Sequence, residues 1–177
     1  AGNNFIISDN FIGGNAPLAT GIWTKATNST TEIFIGILIN AGITTATSVQ
    51  NNVIRNFSHP NQSGGSWTGI SATGGAVNIG TVTGNVIGAA TGNNSIFYSS
   101  TNTTLLTGIE ISSTGTINCE KNIIGSIVAT NSLNSGITDI YGIRKTASAG
   151  LTNISNNQIG SVGTANSIEA ASTSTNG

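Results

Sequence analysis

The side chains in this sequence that could act as acid, base or nucleophile include six carboxylates, one imidazole and one thiol. The carboxylates are Asp9, Glu32, Glu110, Glu120, Asp139 and Glu169. Cleavage of a glycosidic bond uses two of them, roughly 5 to 9.5 Å apart. Glu110 and Asp139 come nearest to such a pair, because both flank Gly-Ile dipeptides, at Gly108 and Gly142. His59 stands alone, followed by Pro60, and reads as an exposed loop residue. A triad would need a nucleophile and an acid converging on it. Cys119 is the one cysteine, so no internal disulfide and no multi-cysteine metal site can form. A reactive thiolate wants an exposed, electropositive setting, whereas Cys119 falls where a small buried hydrophobe is expected. One histidine, one cysteine and scattered acids supply no metal-ligand set. The chemistry therefore points away from an enzyme, with no catalytic residue, cofactor or metal expected.

The elements that hold these residues follow from composition. Only 6% of residues are charged, against roughly a quarter in ordinary soluble domains, while 37% are hydrophobic. Ser, Thr, Asn and Gly replace the missing charge, and Met is absent. β-Branched residues suit a pleated surface, and Gly and Asn suit turns. An almost all-β chain of many short strands is expected. Five Lys and Arg spread along the chain make no basic patch for nucleic acid. The longest apolar run, Ile33 to Ile39, is far short of the ~20 residues a membrane helix needs, so no membrane insertion is expected. The N-terminus reads as neither a signal peptide nor a starting Met, so either a processed chain or a piece of a longer one is expected.

A repeat organises the chain. The pattern Asn-x-Ile, usually followed by Gly, occurs at Asn10, Asn52, Asn85, Asn122 and Asn157, at spacings of 42, 33, 37 and 35 residues. Two residues on stand Ile12, Ile54, Ile87, Ile124 and Ile159. Three residues before stand Ile7, Val49, Val82, Cys119 and Ile154. A second anchor is Gly-Ile, at Gly36-Ile37, Gly69-Ile70, Gly108-Ile109 and Gly142-Ile143, and a looser one is Ser95-Ile96-Phe97 and Ser167-Ile168. A fixed local pattern at variable spacing means constant strands joined by unequal loops. Three strands per repeat predict a right-handed parallel β-helix of about five three-stranded coils, spanning residues 1–177 as one segment. Each coil would stack on the next at ~4.8 Å, with a core ladder of the five Ile, a second ladder of the residues three before the Asn, and a structural Asn ladder whose amides bond from coil to coil. A β-propeller or β-sandwich would need antiparallel hairpins with tight-turn signals, and the repeats are too uneven for blades.

The cassette of Gly-Ile, a Ser/Thr/Gly stretch and Asn-x-Ile-Gly, as in Gly108 to Gly125 and Gly142 to Gly160, resembles the repeats of very large cell-surface proteins of Bacteroidota, the gliding-motility adhesins and other type IX-secreted proteins. That resemblance implies export to the cell surface and adhesion to surfaces or extracellular polysaccharide. It carries no catalytic residues. The chain starts and stops inside its own periodicity, so an internal fragment, partnered at both ends by further coils of the same chain, is expected. The expected function is a structural or adhesive stalk. The alternatives are a carbohydrate-active or polysaccharide-binding β-helix, with Trp23, Trp67, Tyr98 and Tyr141 as the aromatics that could stack on sugar, and an ice-binding protein using the Thr pairs at Thr45/Thr47 and Thr81/Thr83. Six Asn-x-Ser/Thr sites (Asn28, Asn56, Asn61, Asn93, Asn102 and Asn153) fit the glycosylation sequon, but read as a by-product of composition.

Overall fold

A computed structural model describes residues 1–27, 29–132 and 136–172. Of the candidate sequons, Asn28 lies outside the described residues. Among the described residues nineteen strands follow one another, with one 3₁₀ turn between β2 and β3. The first coil is β1 (Ile6–Ser8), β2 (Phe11–Gly13), β3 (Trp23–Thr24) and β4 (Glu32–Asn40). The second is β5 (Thr47–Gln50), β6 (Val53–Arg55), β7 (Phe57–Gln62) and β8 (Gly65–Gly74). The third is β9 (Val77–Ile79), β10 (Val86–Gly88), β11 (Ile96–Ser100) and β12 (Thr104–Ile111). The fourth is β13 (Ile117–Glu120), β14 (Ile123–Gly125), β15 (Ile127–Asn131) and β16 (Thr138–Lys145). A fifth coil begins with β17 (Thr152–Ser155), β18 (Gln158–Ile159) and β19 (Ile168–Ser172).

Every strand pairs in parallel with the strand four places along the chain, giving sheets β1-β5-β9-β13-β17, β2-β6-β10-β14-β18, β3-β7-β11-β15-β19 and β4-β8-β12-β16. This is a parallel β-solenoid, as the repeat predicts, but with four sides to each turn instead of three. The stretch around the Asn motif divides into two sheets. A single residue with left-handed backbone turns the corner just before four of the ladder Asn: Asp9 (φ 61°), Asn51 (52°), Lys121 (58°) and Asn156 (55°). Asn and Asp tolerate that conformation best. One residue is too short an interruption to break the apolar pattern, so the sequence shows one strand where the fold has two.

The sheets enclose a core whose side chains fall in columns. Ile12, Ile54, Ile87, Ile124 and Ile159 are in register on the second side. Ile54, Ile87 and Ile124 have no solvent exposure, while Ile159 at the top is half exposed. The fourth side supplies the columns Phe34-Trp67-Leu106-Ile140 and Ile37-Ile70-Ile109-Ile143. Burying each of these large side chains contributes about 2 kcal/mol, and no coil could do so without its neighbours.

The two sequence anchors prove to be halves of one contact. A Cβ on Gly36, Gly69 or Gly108 would come within 3.2 Å of the Ile side chain of the coil above, at Ile54, Ile87 and Ile124, and within 2.7 Å of the glycine carbonyl above. The Gly column therefore leaves room for the Ile column on the opposite wall. It also marks a slip in the side-chain alternation. Phe34 and Ile37 are three residues apart yet both pack inward.

Candidate functional site

The Asn column is hydrogen-bonded from coil to coil along its whole length. Each side-chain Nδ2 donates to the Oδ1 of the Asn one coil on: Asn10 to Asn52 (2.8 Å), Asn52 to Asn85 (2.9 Å), Asn85 to Asn122 (2.8 Å) and Asn122 to Asn157 (2.9 Å). The second Nδ2 proton returns to the coil below, from Asn52 to Ile7 O, Asn85 to Val49 O, Asn122 to Ile79 O and Asn157 to Cys119 O. Each Oδ1 from Asn52 onward also accepts the backbone N–H of the Asn below it, at 3.0 to 3.2 Å. Asn52, Asn85 and Asn122 are fully buried with every amide atom satisfied, the condition under which a polar core network is stabilising.

The second apolar ladder needs one correction. Its third rung is Ile79, not Val82: the register runs Ile7-Val49-Ile79-Cys119-Ile154. Ile79 is fully buried, whereas Val82 is 78% exposed. Counting back three residues from the Asn holds in four coils and fails in the third, where the corner carries three extra residues. Gln50 supports the enlarged corner. Its Oε1 accepts the N–H of Val82 and Thr83, and its Nε2 donates to Asn78 O and Thr81 Oγ1. The alternation of Val77 and Ile79 ahead of Gly80 was the signal for the right rung. Cys119 sits in this ladder, fully buried, and burial pushes its thiol up to about 12.

The aromatic residues separate into two kinds. Trp67 and Tyr98 are buried and cannot meet a sugar, while Trp23 and Tyr141 are 39% and 40% exposed. Trp67 fills the column between Phe34 and Leu106 and stacks on Phe34. Tyr98 stacks on His59 with ring centroids 5.3 Å apart and donates its hydroxyl to Gly64 O. His59 is thus no loop residue. The segment around Pro60 is strand β7, and His59 is in register with Tyr98. It is 4% exposed with Nε2 unpartnered. Burial first, and then the Lys25 charge, lower its pKa to about 4, against a smaller opposing effect of Glu32. Lys25 closes the open first coil by an ion pair to Glu32 (2.7 Å) and a hydrogen bond to Gln62 Oε1 (3.3 Å). Sequence reasoning missed this cluster, because Phe34, Phe57, His59, Trp67 and Tyr98 lie on different sides and recur in no repeat. Trp23, Phe34, Phe57 and Ile12 also line a shallow apolar depression at the first-coil end.

Glu110 and Asp139, the pair singled out for glycosidic chemistry, do not converge. Asp9 accepts from Asn51 Nδ2 at 2.7 Å, and hydrogen bonds from Ser8 and Asn51 lower its pKa. Glu110 faces Arg144 at 3.9 Å, beneath which lies the Tyr141 ring. Glu120 accepts from Asn153. Asp139 is in register with Leu105, five residues along the strand from Glu110, or about 16 Å at 3.3 Å per residue. Among the described residues no three His, Cys, Asp or Glu could hold a metal ion, and no helix is long and apolar enough to cross a membrane. The Thr pairs considered for ice share no face: Thr47 is buried beside Val77, whereas Thr81 and Thr83 lie in the enlarged corner. No family model, no curated protein and no solved structure matches this chain.

Proposed function

We propose that this chain is a structural stalk segment of a secreted or cell-surface bacterial protein, with adhesion as its role and no catalysis. The observation that carries the reading is the unbroken bonding along the axis, in which one amide column and the Ile columns run through every coil. Such a solenoid resists pulling along its axis coil by coil, because each coil is held to the next by four parallel strand pairings and buried side chains. Four of the six acids, Asp9, Glu32, Glu110 and Glu120, are paired with cations or amides, which suits a scaffold. The finer reading, a gliding-motility adhesin that meets extracellular polysaccharide, has Trp23 and Tyr141 as its exposed aromatics, three coils apart.

Two measurements test this. In single-molecule pulling between residues 1 and 172, a stalk gives a series of force peaks with a contour step of about one coil, and a single low-force collapse would reject it. Antibodies raised against the chain should label unpermeabilised cells of the source organism. Labelling only after permeabilisation would reject surface display.

A further inference from the structure

The corner between the third and fourth sides brings an amine, a carboxylate and a carboxamide into contact. Lys25 Nζ lies 2.7 Å from Glu32 Oε2 and 3.3 Å from Gln62 Oε1. Lys25 follows β3 and Glu32 opens β4, while Gln62 closes β7, so the contact joins the first coil to the second. The backbone N–H of Lys25 bonds Ser58 O, continuing the register that pairs Trp23 with Phe57. Lys25 therefore stands in line with the interior column of His59, Tyr98 and Ala129, all buried. A cation at such a position gives up much of its water. The other two lysines, Lys121 and Lys145, donate to backbone carbonyls instead.

The amide of Gln62 is buried and held in one orientation. Its Nε2 donates to Pro60 O at 2.7 Å and to Ala26 O at 3.2 Å, which turns Oε1 toward Lys25. The carbonyl carbon Cδ, one bond beyond Oε1, is thereby presented to the amine. A lysine freed of its proton is a nucleophile toward such a carbon. Fixed proximity replaces a chance encounter, and a carboxylate in hydrogen-bond contact with the amine can carry its proton. The nitrogen that would leave gains positive charge between two carbonyl oxygens already aimed at it, which favours its departure.

We propose that Lys25 and Gln62 join in an isopeptide bond, formed by the folded chain itself with Glu32 as the proton carrier. The Lys25 ammonium passes a proton to Glu32, and the freed Nζ adds to Gln62 Cδ. Protons taken from Nζ are handed on to Nε2, the Cδ–Nε2 bond breaks, and the nitrogen leaves as ammonium. Glu32 ends as the carboxylate it began as. One ammonium and one secondary amide replace the lysine ammonium and the primary amide, with no oxidation or reduction and no further reactant. The product is a covalent tie between the first and second coils, beside the hydrogen bonds that already join them. The inference rests on the fold and is independent of the stalk reading.

The experiment holds the folded chain in mildly alkaline buffer until its intact mass is constant, then unfolds it and digests it with trypsin. The intact mass is expected to fall by one ammonia. An unlinked chain releases residues 1–25, 26–55 and 56–121 as separate peptides. The linked chain resists cleavage at Lys25 and yields a branched peptide joining 1–55 to 56–121, with the branch mapped to Gln62 by fragmentation. Lys25→Arg should keep the unreacted mass. Glu32→Gln leaves a hydrogen-bonding group beside Lys25 but no proton carrier, and should slow linking about a hundredfold or more. The proposal is overturned if the parent chain releases 1–25 as a free peptide, if ammonia is lost without the branched peptide, or if Glu32→Gln links at the parent rate.

Discussion

At the residue scale, the Asn column makes the sharpest prediction. Removing the side chain of Asn85 leaves the backbone N–H of Asn52 and one of its Nδ2 protons without an acceptor in the dry interior, while Val49 O keeps the N–H of Gly80 and Asn122 Oδ1 keeps that of residue 85. Each orphaned buried donor costs roughly 1 to 3 kcal/mol, so Asn85→Ala should destabilise by about 2 to 6 kcal/mol in denaturant melts. Asn10→Ala, at the open end, should cost about 1 kcal/mol; equal costs would mean the column carries no special load. His59 predicts a pH dependence. Folded, its pKa is about 4; unfolded, it returns to the ordinary 6.5 of a free imidazole. Below pH 6.5 the unfolded chain binds a proton that the folded chain refuses. Stability from this group is therefore intact above pH 6.5 and is lost as pH falls toward 4, by about 3 kcal/mol in all. Melts of His59→Phe between pH 7 and 4 should lack that decline. The Asn chemistry was legible in the sequence because every coil repeats it. The burial of His59 was not, since it depends on partners contributed once each by different coils.

Elements show where reading by period succeeds and where it slips. The Gly-Ile and Asn-x-Ile anchors stand out because both belong to one steric contact repeated in each coil. The fourth side was hidden because its corner is a single left-handed residue. Val82 was misplaced because spacing was counted through a corner that had grown by three residues. That corner supplies a test. Deleting Thr81, Val82 and Thr83 sets Asn85 three residues after Ile79, as in the other coils. The deletion removes the partners of Gln50 Oε1, and that of Lys121 Nζ at Thr81 O. Buried ladders are untouched, so the change in unfolding free energy should stay within about 1 kcal/mol, as expected of surface loops. A loss of several kcal/mol would mean the enlarged corner is part of the framework.

At the scale of the whole molecule, stability should be graded along the axis. Large apolar side chains are exposed at both ends, among them Ile6 and Phe11 in the first coil and Leu151, Ile154 and Ile159 in the last, while the middle coils hold the fully buried ones. In a stack where each coil touches only its neighbours, opening begins at the ends and costs less there. Hydrogen exchange should therefore be slowest in β9 to β14 and fastest in β1, β2, β17 and β18, and uniform protection would contradict a nearest-neighbour stack. Cys119 reports the same event chemically. Its burial and raised pKa leave it inert to thiol reagents until the middle coils part.

The amide column also has a direction. In each of its four Asn–Asn bonds the donating Nδ2–H points toward the last coil and the accepting Oδ1 toward the first. Five side-chain dipoles thus add head to tail along the axis instead of cancelling, and aligned amides polarise one another. A rod with almost no net charge is left with electrically unlike tips, faintly negative beside Asn10 and faintly positive beside Asn157, and an applied field would turn it end for end.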